Sequence, residues 1–192
     1  IKIDVKDLNV DLLSVSGHKV HAPKGIGALY IKSGTEIENF IFGGSQERSR
    51  RAGTENVAGI VGFSKAIDIL RDSREKNVSK RFAFREYFFK ILYENFSRFN
   101  INGSLENRYS GNINISFPEV DKEMLIMSMD FRGICISGGS ACSSGAVEKS
   151  HVLDAMGIEE KLKNSAVRIS FGENNTFEEI DEFILALKEI ID

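Results

Sequence analysis

The sequence predicts an α/β fold made of two units, residues 1–75 and 76–192. Three observations support this prediction. Two short apolar runs near the N-terminus have the length of strands, and a stretch without glycine or proline from residue 63 to 102 has helical periodicity. The last third of the chain alternates short apolar runs with helical segments, which is typical of an α/β domain.

The first unit is predicted to contain two strands. Apolar and charged residues alternate over residues 1–10, which indicates either a strand or an extended lead-in. The apolar runs at 12–15 and 26–31 form the two strands, and Pro23 and Gly25 turn the chain between them.

A long helical region is predicted to lead from the first unit to the second. Residues 40–53 are rich in glycine and charge and indicate a loop, after which Thr54 is expected to cap a helix. This region is either one helix or two helices with a break near residues 72–78. The apolar residues at helical spacing are Val57, Ile60, Val61, Ile67, Leu70, Val78, Phe82, Phe89, Leu92 and Phe96.

The second unit is predicted to alternate strands and helices. Its short apolar runs indicate strands at residues 113–117, 134–137 and 166–171. Its helical segments lie at residues 122–132, 150–156 and 177–191. The apolar residues of the last helix that we expect to face the core are Ile180, Phe183, Ile184, Leu187 and Ile190.

Composition excludes several classes of function. The chain is 42% hydrophobic and 28% charged, as in ordinary soluble globular proteins. A formal net charge of −3 gives no reason to expect a nucleic acid or an anionic membrane as partner. No apolar run approaches the roughly twenty residues of a transmembrane helix, so we expect no membrane-spanning segment.

The cysteine count and the first residue bear on the setting of the protein. Two cysteines are too few for a disulfide framework, which predicts a reducing, cytoplasmic environment. We expect no signal peptide, because the chain begins directly in mixed polar and apolar sequence. Because it begins with Ile1 rather than Met, we expect a processed product or a piece of a longer chain.

Lys19 is a candidate catalytic residue because it follows the first predicted strand. Strand ends in α/β folds are where ligands bind, and a lysine held between a strand and a Pro-Gly turn is placed for imine chemistry with a carbonyl cofactor. The alternative is an ordinary solvated lysine, which is the commoner outcome for a lysine beside a turn. Lys24 is a second, lower-ranked candidate for the same chemistry.

Cys142 is a candidate nucleophile in a loop with little to anchor it. Glycines at 138, 139 and 145 leave its backbone free, as a nucleophile that approaches a substrate and leaves with cargo requires. The alternative is an inert loop cysteine. Cys135 alternates with isoleucines and is predicted to be buried, and its spacing from Cys142 is not a zinc signature.

Arg168 and Thr54 are candidate anion-binding residues. Arg168 lies within a predicted strand, where it either faces solvent, as periodicity favours, or points at an anion. Its fork-shaped guanidinium suits a carboxylate. Thr54 lies at a predicted helix start, where a phosphate binds favourably. The alternative is that the loop before it is a flexible, basic surface loop. The three histidines are not spaced as a metal site.

These motifs together resemble a known family. Ser-Gly-His-Lys followed by Pro-Lys-Gly-x-Gly (residues 16–27), Ser-Ala-Cys-Ser-Ser (140–144) and Val-Arg-Ile-Ser-Phe-Gly (167–172) resemble the first, NifS/IscS-like group of cysteine desulfurases in the class-V aminotransferase family. The resemblance covers essentially the whole chain but only the C-terminal half of the family. It implies that residues 1–75 are the C-terminal part of a fold-type-I (aspartate aminotransferase-like) large domain, which binds pyridoxal 5′-phosphate (PLP), and that residues 76–192 are the small C-terminal domain.

The resemblance also implies roles at the cofactor. Lys19 would form the imine with PLP, and Ser16 and His18 would help to hold its phosphate. Thr54 would contact the phosphate of the neighbouring subunit's cofactor, which implies a homodimer with shared active sites. The family usually has glycine where this chain has Ala22, so the turn here is less permissive.

The implied reaction converts L-cysteine into L-alanine. Arg168 would hold the substrate carboxylate, and Cys142 would take the sulfur as a persulfide and pass it to an iron-sulfur scaffold or another acceptor protein. Alternatives are a selenocysteine lyase or aminotransferase on the same fold, or a non-catalytic module that binds a scaffold protein. In the family, the other cofactor contacts come from the chain before the lysine. None of the eighteen residues before Lys19 matches them, so we expect the chain alone to be inactive.

Overall fold

The computed structural model describes residues 1–139 and 150–191. The chain divides into two compact units, Ile1–Arg74 and Glu75–Asp192. Strands and helices are mixed in the order expected of the α/β prediction. Within the described residues, none of the helices combines the length and the apolar character that crossing a membrane requires.

The first unit contains a two-stranded antiparallel sheet. Strand β1 (Leu12–Ser16) pairs with β2 (Gly27–Ile31), with Ser16 opposite Gly27. Both predicted strands are therefore confirmed. Residues 1–10 form no strand, so the strand alternative is wrong: residues 5–9 are a turn, in which the Leu8 amide donates to the Asp4 carbonyl at 3.0 Å.

A 3-10 turn, Gly17–Val20, links β1 to the chain that returns into β2. The Gly17 amide donates to the Ile26 carbonyl at 2.9 Å. A Cβ atom on Gly17 would lie 2.7 Å from that carbonyl oxygen, which is closer than real Cβ atoms come to a neighbour. Glycine therefore allows the turn to pack directly against the start of β2.

The charged loop at 40–53 contains one short helical turn, α1 (Gln46–Ser49). Glu47, Arg48 and Ser49 all have positive φ angles of 49–62°, so the turn is left-handed. Gln46 and Arg51 hold the loop together: the Gly53 amide donates to Gln46 Oε1 at 3.2 Å, and Arg51 Nη1 donates to the Gly53 carbonyl at 3.0 Å.

Helix α2 (Val57–Asn95) is one continuous helix of 39 residues. The predicted cap at Thr54 is wrong, because the helix begins at Val57 and Asn56 Oδ1 accepts the Gly59 amide at 3.0 Å. Asparagine is among the best N-cap residues, and here it lies closer to the first helical turn than Thr54 does. The optional break at 72–78 is absent, because polar residues such as arginine, glutamate and lysine favour helix.

The second unit contains a three-stranded antiparallel sheet in the order β3-β4-β5. Its strands are β3 (Asn100–Ile101), β4 (Ile113–Ser116) and β5 (Ala166–Ile169). Its helices are α3 (Lys122–Asp130), α4 (His151–Ala155), α5 (Glu160–Lys163) and α6 (Phe177–Ile191). The predicted strand at 134–137 is wrong: only a single bridge joins Ser137 to Arg168.

The core of the second unit lies between one face of this sheet and the helices. Phe84, Phe88 and Leu92 of α2 are fully buried and repeat at every fourth residue. Phe82, one of the apolar residues at helical spacing, is 50% exposed and lies off this stripe. The buried partners on the strands and α6 are Ile113, Ile115, Val167, Ile169, Ile180, Phe183, Ile184 and Leu187.

Candidate functional site

Lys19 lies on the 3-10 turn that follows β1. The Ala22 amide donates to the Gly17 carbonyl at 3.1 Å, and His21 closes the turn in a left-handed conformation with φ of 63°. The Lys19 side chain is exposed and makes no hydrogen bond or ion pair with any residue that the structure describes. Its amine is thus available to a carbonyl group, as a covalent catalyst of this type requires.

Ser16 and His18 lie beside this lysine. The Ser16 hydroxyl and His18 Nδ1 are 2.8 Å apart, and both side chains are exposed. Which of the two donates depends on the histidine tautomer. The local fold therefore brings a hydroxyl, an imidazole and an amine to one turn, which is a set of groups that can receive an anionic ligand. The competing Lys24 is also exposed, in the next turn, where Gly25 has a φ of 83°.

Thr54 belongs to the same unit. It is exposed and lies in the non-helical segment between the charged loop and α2. The loop before it carries Arg48, Arg50 and Arg51, of which Arg51 pairs with Glu47 at 3.6 Å.

Arg168 lines a cavity of about 510 Å³ in the second unit. Its neighbours in the chain, Val167 and Ile169, are buried in the core, so Arg168 lies on the opposite face of the sheet. The side chain is half-buried and makes no hydrogen bond or ion pair within the described residues. A half-buried guanidinium without an acidic partner favours the second sequence interpretation, an arginine directed at an anion.

Arg108 lines the same cavity and was not predicted. Its Nε donates to the Ser104 carbonyl at 2.8 Å, and its Nη2 donates to the Asn102 carbonyl. Burial lowers the pKa of Arg108, and the nearby charge of Arg85 lowers it further. Its sequence context is an ordinary polar loop, so only the fold shows that this arginine approaches Arg168's cavity.

The two cysteines have different outcomes. Cys142, the predicted nucleophile, lies outside the described residues. The prediction that Cys135 is buried is wrong, because its thiol is exposed. Ile134 and Ile136 pack against the core, and the alternation that places them inward leaves the residue between them facing solvent.

The candidate residues thus form two local groups. The first unit gathers Ser16, His18 and Lys19, and the second unit places Arg168 in the polar cavity. Among residues 1–139 and 150–191, no group of three or more histidine, cysteine, aspartate or glutamate side chains is arranged to hold a metal ion.

Comparison with known proteins assigns the family. The aminotransferase class-V model matches residues 1–183, so the chain belongs to the aminotransferase class-V family. The predicted α/β fold class is confirmed by solved structures of NifS-like proteins. One of them, from Rickettsia africae, has a TM-score of 0.88 and 35% sequence identity, with all of this chain and 50% of that chain covered.

Particular relatives are cysteine desulfurases. The cysteine desulfurase IscS of Dictyoglomus turgidum is 42% identical over 192 residues, which are 100% of this chain and 49% of the relative. A structure described as SspA in complex with cysteine has a TM-score of 0.67 and 36% identity, with 88% of this chain and 46% of that chain covered. The chain therefore spans about half the length of the relatives that it matches.

Proposed function

We propose that this chain contributes to a PLP-dependent cysteine desulfurase, which converts L-cysteine into L-alanine and an enzyme-bound persulfide. The observation that carries the proposal is the exposed Lys19 amine, which pairs with no described residue and lies on the 3-10 turn beside the Ser16–His18 pair. This turn belongs to a chain that is 42% identical, along its whole length, to a named cysteine desulfurase. In this proposal, residues 1–75 belong to the cofactor-binding large domain and residues 76–192 form the small domain.

The residues of the first unit fit PLP by their chemistry. PLP, when bound, supplies an electron sink for negative charge that develops beside the substrate nitrogen. Lys19 Nζ would hold the cofactor covalently and, once released, would accept the proton from the substrate Cα. Ser16 and His18 would donate to the phosphate. Thr54 would contact the phosphate of a second subunit's cofactor, which makes the protein a homodimer.

The sulfur would pass to Cys142. Its thiolate would form an S–S bond with the substrate sulfur as the substrate's C–S bond breaks, and protons from the site would complete L-alanine. The resulting persulfide would be delivered to a sulfur-acceptor protein, such as a scaffold for iron-sulfur cluster assembly. Arg168 would orient the substrate through its carboxylate. The reaction as proposed takes place in a reducing, cytoplasmic setting, which keeps the thiol free.

An absorption spectrum tests the role of Lys19. We expect that adding PLP to the purified chain produces a protein-bound cofactor band. This band should disappear in Lys19→Ala and remain in Lys24→Ala, because both lysines are exposed but only Lys19 lies on the turn beside Ser16 and His18. A band that survives Lys19→Ala, or one that requires Lys24, would contradict the assignment.

A further inference from the structure

The sheet of the second unit has two very different faces. Ile113 and Ile115 of β4 point into the phenylalanine-rich core. The opposite face is polar, although much of it is buried: Asn102 is 2% exposed and Ser116 is 0% exposed. Buried polar groups of this kind must satisfy one another, and they do so here through a ladder of side-chain hydrogen bonds.

The ladder runs across the strands through Asn102. This residue accepts from Asn100 Nδ2 at 2.7 Å, and its own Nδ2 donates to Asn114 Oδ1 at 2.7 Å and to Ser116 Oγ at 2.8 Å. The Ser116 hydroxyl in turn donates to the Leu162 carbonyl at 2.8 Å. The ladder therefore fixes the orientation of the Asn114 amide, because its oxygen is held by Asn102.

Arg168 stands in a row with two neighbours on this face. Asn114 lies directly opposite it on β4, and Ser137 lies opposite it through the single bridge on its other side. Side chains directly opposite each other in an antiparallel pair have Cβ atoms about 4.5–5.5 Å apart and share a face. Both neighbours are therefore within reach of a ligand that binds the Arg168 guanidinium.

Ser137 and Asn114 differ in their hydrogen bonding. The Ser137 hydroxyl donates to the Gly139 carbonyl at 2.9 Å, so its one proton is engaged. Asn114 Nδ2, by contrast, donates to no residue that the structure describes, and Asn114 lines the cavity together with Arg168. Arg108 engages Nε and Nη2 with the carbonyls of the loop at 102–104. Of the groups beside Arg168 in this row, the Asn114 amide is the one with donors available.

We propose that Asn114 is a specificity-determining residue that donates to the ligand carboxylate beside Arg168. This inference rests on the proposed function, which supplies an amino acid as the ligand. Because the Asn114 oxygen is held by Asn102, the amide presents only N–H groups to the cavity. Two neighbouring sets of donors favour a carboxylate over a carboxamide, whose NH₂ group would face another donor.

The test is a ligand titration of the 192-residue chain followed by NMR. The probes are L-alanine, the proposed co-product, and L-alaninamide, which lacks the carboxylate. L-Alanine should shift the Asn114 side-chain amide signals and the Arg168 signals, and it should bind more tightly than L-alaninamide. Asn114→Asp should weaken L-alanine binding at least about tenfold, because the new carboxylate pairs with Arg168 and repels the ligand.

Asn107→Asp is the matched control. Asn107 lines the same cavity but is exposed, and its side chain bonds to no described residue. Asn107→Asp adds the same charge at an exposed position, and we expect it to weaken L-alanine binding by less than about threefold. If Asn114→Asp fails to fold, Asn114→Ala decides the matter, and we expect a loss of about threefold or more from a missing donor.

Three outcomes would overturn the proposal: no L-alanine-dependent shift in the unaltered chain, equal effects of the two aspartate variants, or equal binding of both probes. The titration uses neither PLP nor sulfur transfer. If the unaltered chain shows no Lys19-dependent PLP band but still prefers L-alanine to L-alaninamide, only the desulfurase proposal is contradicted. If the band is present but the two probes bind equally, only the role of Asn114 is contradicted.

Discussion

At the scale of single residues, the candidate groups differ in whether their side-chain donors are hydrogen-bonded. Lys19 keeps its amine unpaired within the described structure, whereas Arg108 donates from Nε and Nη2 to carbonyls of its loop. Arg168 shares a cavity with Arg108 but has no described partner. The side chains of Lys19 and Arg168 thus bond to no described residue, and sequence position alone does not distinguish such groups from bonded ones.

The two cysteines offer a matched pair for testing sulfur transfer. The chain has two cysteines, and Cys135, whose thiol is exposed, is the control for chemical accessibility. In a desulfurase of full family length that carries this chain, with PLP and L-cysteine supplied, we expect persulfide labelling to disappear in Cys142→Ala and to persist in Cys135→Ala, because only Cys142 is the proposed nucleophile. Mass spectrometry of labelled peptides measures this directly. Persulfide found on Cys135 in both the parent chain and Cys142→Ala would contradict the assignment.

At residue scale, the sequence singled out Lys19, Ser16, His18 and Arg168 as candidates because each lies in a recognisable motif at or beside a strand. Asn114 and Arg108 lie in no such motif. They come to Arg168 through strand pairing and loop closure, which are contacts between residues that are far apart in the chain. A local pattern contains no information about such contacts.

At the scale of secondary-structure elements, predictability followed the strength of the local signals. Helix α6 was predicted with its observed bounds because its apolar stripe is regular, and the structure shows that a capping box also closes its N-terminus. Strand β3 has only two residues and depends on pairing with β4, so its sequence is too short to show a strand periodicity. The run at 134–137 has the composition of a strand but pairs at one position only.

The capping box of α6 gives a pH prediction. The Asn175 side chain and the Thr176 amide donate to Glu179 Oε2 at 2.7 and 3.1 Å, and they lower the pKa of Glu179. A lowered pKa in the folded state means that this contribution to stability is present above the unfolded pKa of about 4.3 and is lost as the pH falls through the folded value. We expect Glu179→Gln to reduce the free energy of unfolding at pH 7, with the difference from the parent chain shrinking below about pH 4.

Urea unfolding at a series of pH values measures this difference. Glu182→Gln is the control, because Glu182 is on the same helix, is exposed and bonds to no described residue. Thr176→Ala should cost about 0.5–2 kcal/mol at neutral pH, since the Thr176 hydroxyl accepts the Glu179 amide at 3.3 Å. An equal pH dependence in the two glutamine variants would show that the capping box is not responsible.

At the scale of the whole molecule, the two units contain complementary parts of the proposed chemistry. The first contains Lys19, the proposed imine lysine, and the second contains Arg168 and its cavity. The sequence predicted the mixed α/β class because short segments of it show the hydrophobic periodicity of strands and others that of helices. The polar ladder and the cavity were not predicted, since they arise only when three strands and two short helices come together.

A prediction at this scale concerns turnover. The chain spans about half the length of its relatives, and eighteen residues precede Lys19. In the family, the contacts to the cofactor ring come from residues before the lysine. We therefore expect the 192-residue chain with PLP and L-cysteine to release sulfide no faster than free PLP does. A sulfide assay checks this, with Lys19→Ala as the comparison. Lys19-dependent turnover by the chain alone would contradict it.

The two-faced sheet has a consequence for folding fidelity. If β4 slipped by one residue against its neighbours, Asn114 and Ser116 would enter the phenylalanine core, and Ile113 and Ile115 would face the polar cavity. Such a slip would strand several amides and hydroxyls away from any partner, at about 1–3 kcal/mol each. Asn114, which is proposed to bind the ligand carboxylate, therefore also disfavours a shifted alignment of β4, because its amide would lose its hydrogen-bond partners in the core.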